Sequence, residues 1–544
     1  MDSLYTIRKK YKPNLPKQLD NFTTLSFEKK TDQIHPAENL REFLPHLFDL
    51  HEVSLVAEKL SKPAKPLNIG VVFSGGPASG GHNVIAGIYD ALKKLHKDNR
   101  LFGFLNGPSG IVSGNYSELS GEIIDEYRNC GGFDMIGTGR TKIESEEQLQ
   151  HSEQSVRELH LHALIIIGGD DSNTNAAFLA DYFIRHNTPV SVIGIPKTID
   201  GDLKNAYIPI SFGFDTAAKI YSNIIGNLAC DAASAGKYYF FVKMMGRSAS
   251  HITLECALQT GANHVLIGEE IAFHNKTLKI IVSEIADTIC ERAKSGKNYG
   301  VILIPEGTIE FIKEFSLLIG DLNAILAHEN IQEISQENKI QKIANLLPEH
   351  SKECFILLPD EIKQQLLMER DPHGNVQVSK IESERLFIML VTKELHDRKQ
   401  KNEYSLSFSA QPYFCGYEGR SAYPSNFDAQ YCYTLGHIAV LLAKSELTGY
   451  MACVTNPAKS VAEWGIGAVP LISMMSLEKR KNKIIPVIAK SLVDLQGPVF
   501  QTFLKEREHK KISDNCPNPG PIQFFGPEVL TESITATLML ESKE

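Results

Sequence analysis

The sequence predicts an α/β fold built of doubly wound, largely parallel sheets. Apolar runs of strand length recur along the chain, most of them followed at once by Gly or Pro: 68–73, 163–168, 190–196, 238–244 and 299–305. Because these runs are almost wholly apolar, they indicate strands buried on both faces, as in parallel sheets. Segments with helical spacing, such as 82–96 and 175–186, lie between them. The ligands of such folds bind beyond the carboxyl ends of the strands.

Length and composition indicate a large globular protein. Its 544 residues, of which 42% are hydrophobic, suggest two or three domains. Lys and Arg total 56 against 65 Asp and Glu, giving a formal charge of −9. This balance argues against a nucleic-acid partner, so an anionic ligand would have to be held by a local cluster of cations.

The spacing of the cysteines and the length of the apolar runs indicate the expected cellular location of the protein. The nine cysteines are widely spaced and form no C-x-x-C pair, which argues against a zinc site or a disulfide framework. We expect no signal peptide and no membrane-spanning segment, because the chain has no uninterrupted apolar run long enough to cross a bilayer and its N-terminus has no apolar core of signal-peptide type. The expected location is the cytoplasm.

Two stretches depart from the alternation of strands and helices. Residues 1–65 are rich in charge and proline and end in "SKPAKP", which is typical of an extension followed by a linker. Residues 310–405 are polar and helix-prone, and they indicate a helical insertion.

The first motif that suggests chemistry is "FSGGPASGGHN" (73–83), between a strand and a helix. Its glycines would let backbone N–H groups approach an anion at a helix N-terminus. It matches neither the Walker A loop nor G-x-G-x-x-G, so a tight turn without a ligand is about equally compatible with it.

Acidic residues follow two of the strands. "GGDDSN" places Asp170 and Asp171 after one strand, and "PKTIDGD" places Lys197, Asp200 and Asp202 after the next. Phosphoryl transfer needs a base for the acceptor hydroxyl, oxygen ligands for a metal and a cation for the developing charge. Asp200, Asp170 and Lys197 are candidates for these three roles. A single acidic turn would be better explained by Asx hydrogen bonds, but two at successive strand ends weaken that explanation.

Three further turns contain candidate ligands of a phosphorylated substrate. "MGRSAS" has Arg247 before a helix expected to begin near Ser248, "IPEG" has Glu306 at a strand end, and "GYEGR" has Tyr417 and Arg420. Arg matches the geometry of phosphate oxygens, and a carboxylate can accept from a sugar hydroxyl. Each could also be an ordinary loop residue.

The order and wording of the motifs resemble a known family. "GGDDSNTNA", "PKTIDGDL", "MGRSASHITLECALQT", "PEG" and "GYEGR" are similar to the long-chain group of pyrophosphate-dependent 6-phosphofructokinases. The resemblance implies two Rossmann-like three-layer domains of the phosphofructokinase fold, with a helical insertion and an N-terminal extension. It also implies reversible transfer of phosphate from pyrophosphate to the 1-hydroxyl of fructose 6-phosphate, giving fructose 1,6-bisphosphate and phosphate, with Mg²⁺.

The resemblance assigns ranges to these domains. The diphosphate- and Mg²⁺-binding domain would comprise 66–211 with part of 435–510. The fructose 6-phosphate domain would comprise 212–434, including the insertion, and 511–544 would be a C-terminal segment.

Residue roles are also implied by the resemblance. The catalytic set would be Asp200 as proton acceptor with Lys197 and Asp171; Asp170 would hold Mg²⁺, and Gly76 and Arg140 would contact the diphosphate. The sugar-phosphate ligands would be Thr198, Ile199, Asp200, Lys237, Tyr238, Met245, Gly246, Arg247, Glu306, Tyr417, Glu418, Gly419 and Arg420. Lys237 and Tyr238 would reach the substrate of a neighbouring subunit, so the resemblance implies a homo-oligomer, with a dimer as the expected form.

The donor would be chosen at two positions. ATP-using relatives have glycine where this chain has Asp171 and Lys197. A carboxylate at 171 would fill the space for a nucleotide and repel its phosphate, while Lys197 would stabilise the leaving phosphate. The alternatives are an ATP-dependent 6-phosphofructokinase and a non-catalytic regulatory subunit of the same fold. A dinucleotide-dependent dehydrogenase is a third, although the chain lacks G-x-G-x-x-G after its first strand.

Overall fold

The structure is a computed structural model, and it describes residues 4–34, 36–58, 66–328, 336–367, 380–480 and 483–542. Strands and helices alternate through most of these ranges. The strands are β1 (Leu25–Gln33), β2 (His51–Ala57), β3 (Asn68–Phe73), β4 (Arg100–Phe104), β5 (Tyr116–Glu118), β6 (Ala163–Gly168), β7 (Ser191–Thr198), β8 (Phe212–Gly213), β9 (Tyr238–Met244), β10 (His264–Val265), β11 (Tyr299–Pro305), β12 (Ala410–Cys415), β13 (Tyr450–Thr455), β14 (Gly465–Pro470), β15 (Met475–Arg480) and β16 (Lys483–Ile488).

The helices occupy most of the intervals between the strands. They are α1 (Leu4–Lys9), α2 (Gly81–Leu95), α3 (Pro108–Ser113), α4 (Gly121–Tyr127), α5 (Glu146–Glu158), α6 (Asp170–Arg185), α7 (Phe214–Ala235), α8 (His251–Thr260), α9 (Gly268–Phe273), α10 (Leu278–Lys294), α11 (Thr308–Phe311), α12 (Lys313–His328), α13 (Gln336–Leu346), α14 (Glu349–Leu357), α15 (Asp360–Leu366), α16 (Ser383–Gln400), α17 (Asn426–Lys444), α18 (Pro498–Ile512), α19 (Glu528–Thr531) and α20 (Ala536–Glu541). None of the described helices is long and apolar enough to cross a lipid bilayer.

The chain divides into two compact units. The first consists of Met1–Ile220, Tyr417–Ser491 and Ile522–Glu544, and the second of Tyr221–Gly416 and Leu492–Pro521. This division assigns 212–220 and 417–434 to the first unit, whereas they were expected in the second domain, and it assigns 492–521 to the second unit.

The first unit is organised around an eight-stranded sheet. Its strand order is β14-β13-β7-β6-β3-β4-β5, with β8 paired to β7, and β13, β7, β6, β3 and β4 run parallel. The central strands are buried along nearly their whole length, as their apolar sequences predict. A buried apolar cluster on this sheet includes Val72, Ile166 and Phe183.

The second unit contains a four-stranded parallel sheet in the order β10-β11-β9-β12. Helices α12 to α16 lie in sequence between β11 and β12, which confirms the helical insertion expected at 310–405. Apolar residues of these helices, among them Phe315, Phe355 and Phe387, join Phe241 and Ile304 of the sheet in one buried cluster. The insertion therefore shares the core of this unit.

Four of the five predicted strands have the bounds read from the sequence, and the fifth, β7, begins one residue later, at Ser191, and ends two residues later, at Thr198. The largest difference concerns α6, expected at 175–186, which begins at Asp170. Likewise, α8 begins at His251 rather than near Ser248. In both cases polar residues that resemble a loop form the cap or the first turn of a helix.

The N-terminal extension is part of the first unit. Strands β1 and β2 pair as an antiparallel hairpin. Leu40, Leu44 and Leu47 are buried in the apolar cluster of the first sheet. The linker "SKPAKP" (61–66) lies outside the described residues, except for its last proline.

Candidate functional site

Three of the expected active-site segments meet because they follow neighbouring parallel strands. Phe73 of β3 pairs with Ile167 of β6, and Gly168 of β6 pairs with Pro196 of β7. Segments that continue past these pairs leave the sheet at the same edge. The glycine-rich loop, the start of α6 and the turn after β7 are therefore neighbours.

The glycine-rich loop after β3 closely approaches other parts of the first unit. A Cβ on Gly76 would lie 2.0 Å from Nη2 of Arg420, so a guanidinium lies directly over this glycine. Gly80, the N-cap of α2, has φ +107°, a conformation that favours glycine. The Gly75 amide donates to the carbonyl of Gly139, and Thr138 Oγ1 donates to the carbonyl of Gly75. This bridge holds the segment before Arg140 against the loop.

The two neighbouring aspartates form the first turn of α6. Asp170 and Asp171 follow the N-cap Gly169, where the partial positive charge of the helix terminus stabilises carboxylates. Asn173 Nδ2 donates to the carbonyls of Gly168 and Ile195 at 2.7 and 3.3 Å, and so ties the ends of β6 and β7 together. The two aspartates thus lie at a helix N-terminus that is anchored to the ends of two strands.

In the turn after β7, the carboxylates of Asp200 and Asp202 have different environments, although the two residues look equivalent in the sequence. Asp202 is buried, accepts a hydrogen bond from Thr198 Oγ1 at 2.9 Å, and has its pKa raised by burial and by neighbouring Asp200. Asp200 is only half-buried, and its amide donates to Thr198 Oγ1 at 3.0 Å. The Asp202 carboxylate therefore stabilises the turn, whereas the Asp200 carboxylate remains accessible.

A cluster of cations occupies the same edge of the sheet. Lys197 is buried, and its Nζ lies 3.2 Å from the position that a Cβ on Gly75 would take. Burial, together with the nearby charges of Arg420 and Arg140, lowers the pKa of Lys197 to about 8, whereas the carboxylates of Asp200 and Asp170 raise it. The ammonium form still prevails at pH 7.

Lys490 is a member of this group that the motifs do not indicate. Its Nζ lies 3.6 Å from Oδ2 of Asp170 and 3.9 Å from Oδ2 of Asp202. It follows β16, about 290 residues beyond Asp202 in the sequence. No local signal could have found it, since a lysine after a strand is ordinarily a solvated surface residue.

The carboxylates suit a magnesium ion with few protein ligands. Asp170 Oδ2 is buried and accepts no hydrogen bond from any described residue. Burial raises the pKa of Asp170, with Lys490 opposing this rise and Asp171 adding to it. The described residues contain no group of three or more His, Cys, Asp or Glu arranged to enclose a metal. Mg²⁺ is commonly bound in proteins through one or two carboxylates, with water and substrate phosphates as its other ligands.

In the second unit, the structure brings together four of the expected sugar-phosphate ligands. Met245 and Glu306 directly follow the adjacent parallel strands β9 and β11. The Gly246 amide, at φ +128°, donates to Oε2 of buried Glu306 at 3.1 Å. A Cβ on Gly307 would lie 1.9 Å from the carbonyl oxygen of Arg247. Arg247 itself is exposed, so its guanidinium is accessible to an anion.

Lys237 and Tyr238 lie elsewhere in that unit. They stand at the beginning of β9, a strand length of about 20 Å from Met245 at its end. Lys237 is exposed, with its Nζ 5.0 Å from the Tyr238 ring centroid, and Tyr238 has φ +76°, which is uncommon for an aromatic residue. The structure does not bring these two residues near the sugar-phosphate candidates at the other end of β9, which include Met245.

The last expected ligands form a short turn in the first unit. Tyr417, Glu418 and Gly419 make one turn of 3₁₀ helix, with Tyr417 and Glu418 exposed. Arg420 follows, 5.5 Å from the centroid of the Tyr417 ring. Of this turn, Arg420 is the residue that lies over the glycine-rich loop.

Comparison with known proteins agrees with this architecture. The family model described as "Phosphofructokinase" matches residues 68–443. A pyrophosphate--fructose 6-phosphate 1-phosphotransferase of Porphyromonas gingivalis is 46% identical over 100% of this chain and 99% of its own length. One from Treponema pallidum is 51% identical over 87% of this chain and 83% of its own length. A crystal structure of pyrophosphate-dependent phosphofructokinase from Marinobacter aquaeolei, at 16% identity, matches with a TM-score of 0.54 over 86% of this chain and 99% of its own, and supports the fold. The chain belongs to the phosphofructokinase family.

Proposed function

We propose that this protein transfers phosphate reversibly from pyrophosphate to the 1-hydroxyl of D-fructose 6-phosphate, giving D-fructose 1,6-bisphosphate and phosphate. The main structural support is the buried ammonium of Lys197, which lies against the glycine-rich loop at Gly75 and within electrostatic reach of Asp170 and Asp200. A fixed cation beside a backbone loop suits a small, highly charged anion. The names of the relatives fit this activity.

In the proposed mechanism, Asp200 accepts the proton of the 1-hydroxyl as its oxygen bonds to the terminal phosphorus of pyrophosphate. The bridging P–O bond breaks, and the departing phosphate keeps the electron pair. Lys197, with Arg140 beside it, stabilises the negative charge on that phosphate. Bound Mg²⁺, held by Asp170, would neutralise charge on the phosphate oxygens. Because one phosphoanhydride is exchanged for one phosphoester, the reaction runs in both directions.

The sugar phosphate would be bound in the second unit by Met245, Gly246, Arg247 and Glu306. Glu306 already accepts from the Gly246 amide, which orients its carboxylate. Exposed Arg247 supplies the guanidinium for the 6-phosphate. The remaining candidates keep the role that the family resemblance implies; they are Thr198, Ile199, Tyr417, Glu418, Gly419 and Arg420.

The assembly is part of the proposal. We place the enzyme in the cytoplasm as a homodimer in which Lys237 and Tyr238 act on the partner's substrate. Their distance along β9 from Met245 fits action at a different copy of the substrate site.

The purified chain should form fructose 1,6-bisphosphate from fructose 6-phosphate, pyrophosphate and Mg²⁺, and it should do so far more slowly with ATP. A coupled assay in both directions measures this. Preference for ATP would favour the nucleotide-dependent alternative. No turnover with either donor would favour a regulatory subunit and would contradict the proposal.

We expect Gly76→Ala to lower kcat/KM by about 10- to 100-fold, the effect of losing one charge-assisted contact. The added methyl would displace the Arg420 guanidinium, which now lies over Gly76. Because Arg420 is a flexible side chain, the melting temperature should change little. In an Arg420→Ala background the same substitution should have little further effect. Equal effects in both backgrounds, measured by steady-state kinetics, would contradict this explanation.

A further inference from the structure

Lys490 is fixed in place by its neighbours along the chain. The Ile488 amide donates to Thr174 Oγ1 of α6 at 2.9 Å, and the Ser491 amide donates to the carbonyl of Asp202 at 2.7 Å. The first bond joins this segment to the helix that carries Asp170, and the second joins it to the turn after β7. The main chain on both sides of Lys490 is thus tied to the two elements whose carboxylates it faces.

The Lys490 ammonium is shared between the buried carboxyl group of Asp202 and the partly buried carboxyl group of Asp170. It lies 3.6 Å from Asp170 and 3.9 Å from Asp202, and its side chain is 29% exposed. Burial raises the pKa of both carboxyl groups, and Lys490 opposes that rise in both. At the distances observed, the cation offsets negative charge at the edge of the sheet where the proposed donor would bind.

We propose that Lys490 is a positioning residue of the donor site, a counter-ion that neutralises Asp170 and Asp202 and so favours the diphosphate while competing with free divalent metal. This inference rests on the proposed function. Two cations compete for the same carboxylate, so Lys490 weakens the binding of metal alone. A positive charge beside an anion strengthens its binding, so the same residue tightens the binding of pyrophosphate.

The test is the affinity of each variant for Mn²⁺ alone, by electron paramagnetic resonance, and for pyrophosphate with saturating Mg²⁺, by calorimetry. Lys490→Met should lower the Kd for Mn²⁺ by about three- to tenfold and raise the Kd for pyrophosphate by a similar factor. Lys490→Gln should act in the same way, and it decides the matter if the Met variant does not fold. Lys490→Arg keeps the charge and should resemble the wild type.

The matched control is Lys97→Met, an exposed lysine just before β4 and so at the opposite edge of the strands. It should leave both affinities unchanged. Equal Mn²⁺ affinity in wild type and the neutral variants, including no measurable binding in any of them, would overturn the proposal. So would an unchanged pyrophosphate affinity. Because the Mn²⁺ measurement uses no substrate, it stands even if the chain fails to phosphorylate fructose 6-phosphate.

Discussion

Asp200→Asn should lower kcat by about 10²–10⁴-fold, the usual contribution of a general base, with a smaller change in KM for fructose 6-phosphate. The amide keeps the shape of the side chain but cannot accept the proton of the 1-hydroxyl. Asp200 is half-buried and stands in a turn closed by the hydrogen bond of its own amide to Thr198 Oγ1. The substitution should therefore leave the turn intact. Initial rates with both substrates, and thermal unfolding of the variant, measure the two effects.

Two comparisons sharpen this result. Asp98→Asn removes an exposed carboxylate before β4 and should leave kcat unchanged. Asp202→Asn removes the carboxylate that Thr198 and Lys490 engage, so its main effects should be on stability and on donor affinity. If Asp202→Asn abolished turnover while Asp200→Asn left it near normal, the base would be Asp202 and our assignment would be wrong.

Replacing Asp171 and Lys197 together with glycine should shift the ratio of kcat/KM for pyrophosphate to that for ATP by at least ~10²-fold in favour of ATP. Loss of a buried cation that stabilises the leaving phosphate should alone lower kcat with pyrophosphate by about 10²–10³-fold. Removal of the Asp171 carboxylate opens space and removes repulsion toward a longer donor. Initial rates with the two donors give the ratio.

The single variants show how much each of the two residues contributes to the change in donor preference. Lys197→Gly should lower pyrophosphate use without raising ATP use, because the Asp171 carboxylate is still present. Asp171→Gly should raise ATP use while the Lys197 ammonium still supports reaction with pyrophosphate. An unchanged donor ratio in the double variant would remove both residues from the explanation of donor choice.

Much of the candidate site could be predicted because its parts follow neighbouring parallel strands. The runs that became β3, β6 and β7 are short, apolar and ended by Gly, Pro or polar residues, so their carboxyl ends could be placed at one edge. Gly76 and Asp170 lie just beyond two of those ends, and the family resemblance assigned them to the diphosphate and to Mg²⁺. Met245 and Glu306 were assigned to one site by the family resemblance alone, and the structure shows that they follow the adjacent strands β9 and β11.

Some local predictions were wrong because polar residues at strand ends are compatible with both a loop and a helix start. "GGDDSN" resembles a turn, yet Asp170 and Asp171 are the first residues of α6. The free amides at a helix N-terminus favour carboxylates, and Asn173 anchors the helix to two strand ends. That anchoring depends on β7 and is not visible in the local sequence.

The sequence by itself determined the parallel α/β architecture, the helical insertion and the segments that carry the candidate chemistry, because these follow from local periodicity and from motifs. Only the tertiary structure distinguished Asp200 from Asp202, placed Arg420 over Gly76 and brought Lys490 to Asp170. Burial and charge proximity depend on which distant segments pack together, and no local signal announces a contact between Asp170 and Lys490, which are 320 positions apart in the sequence.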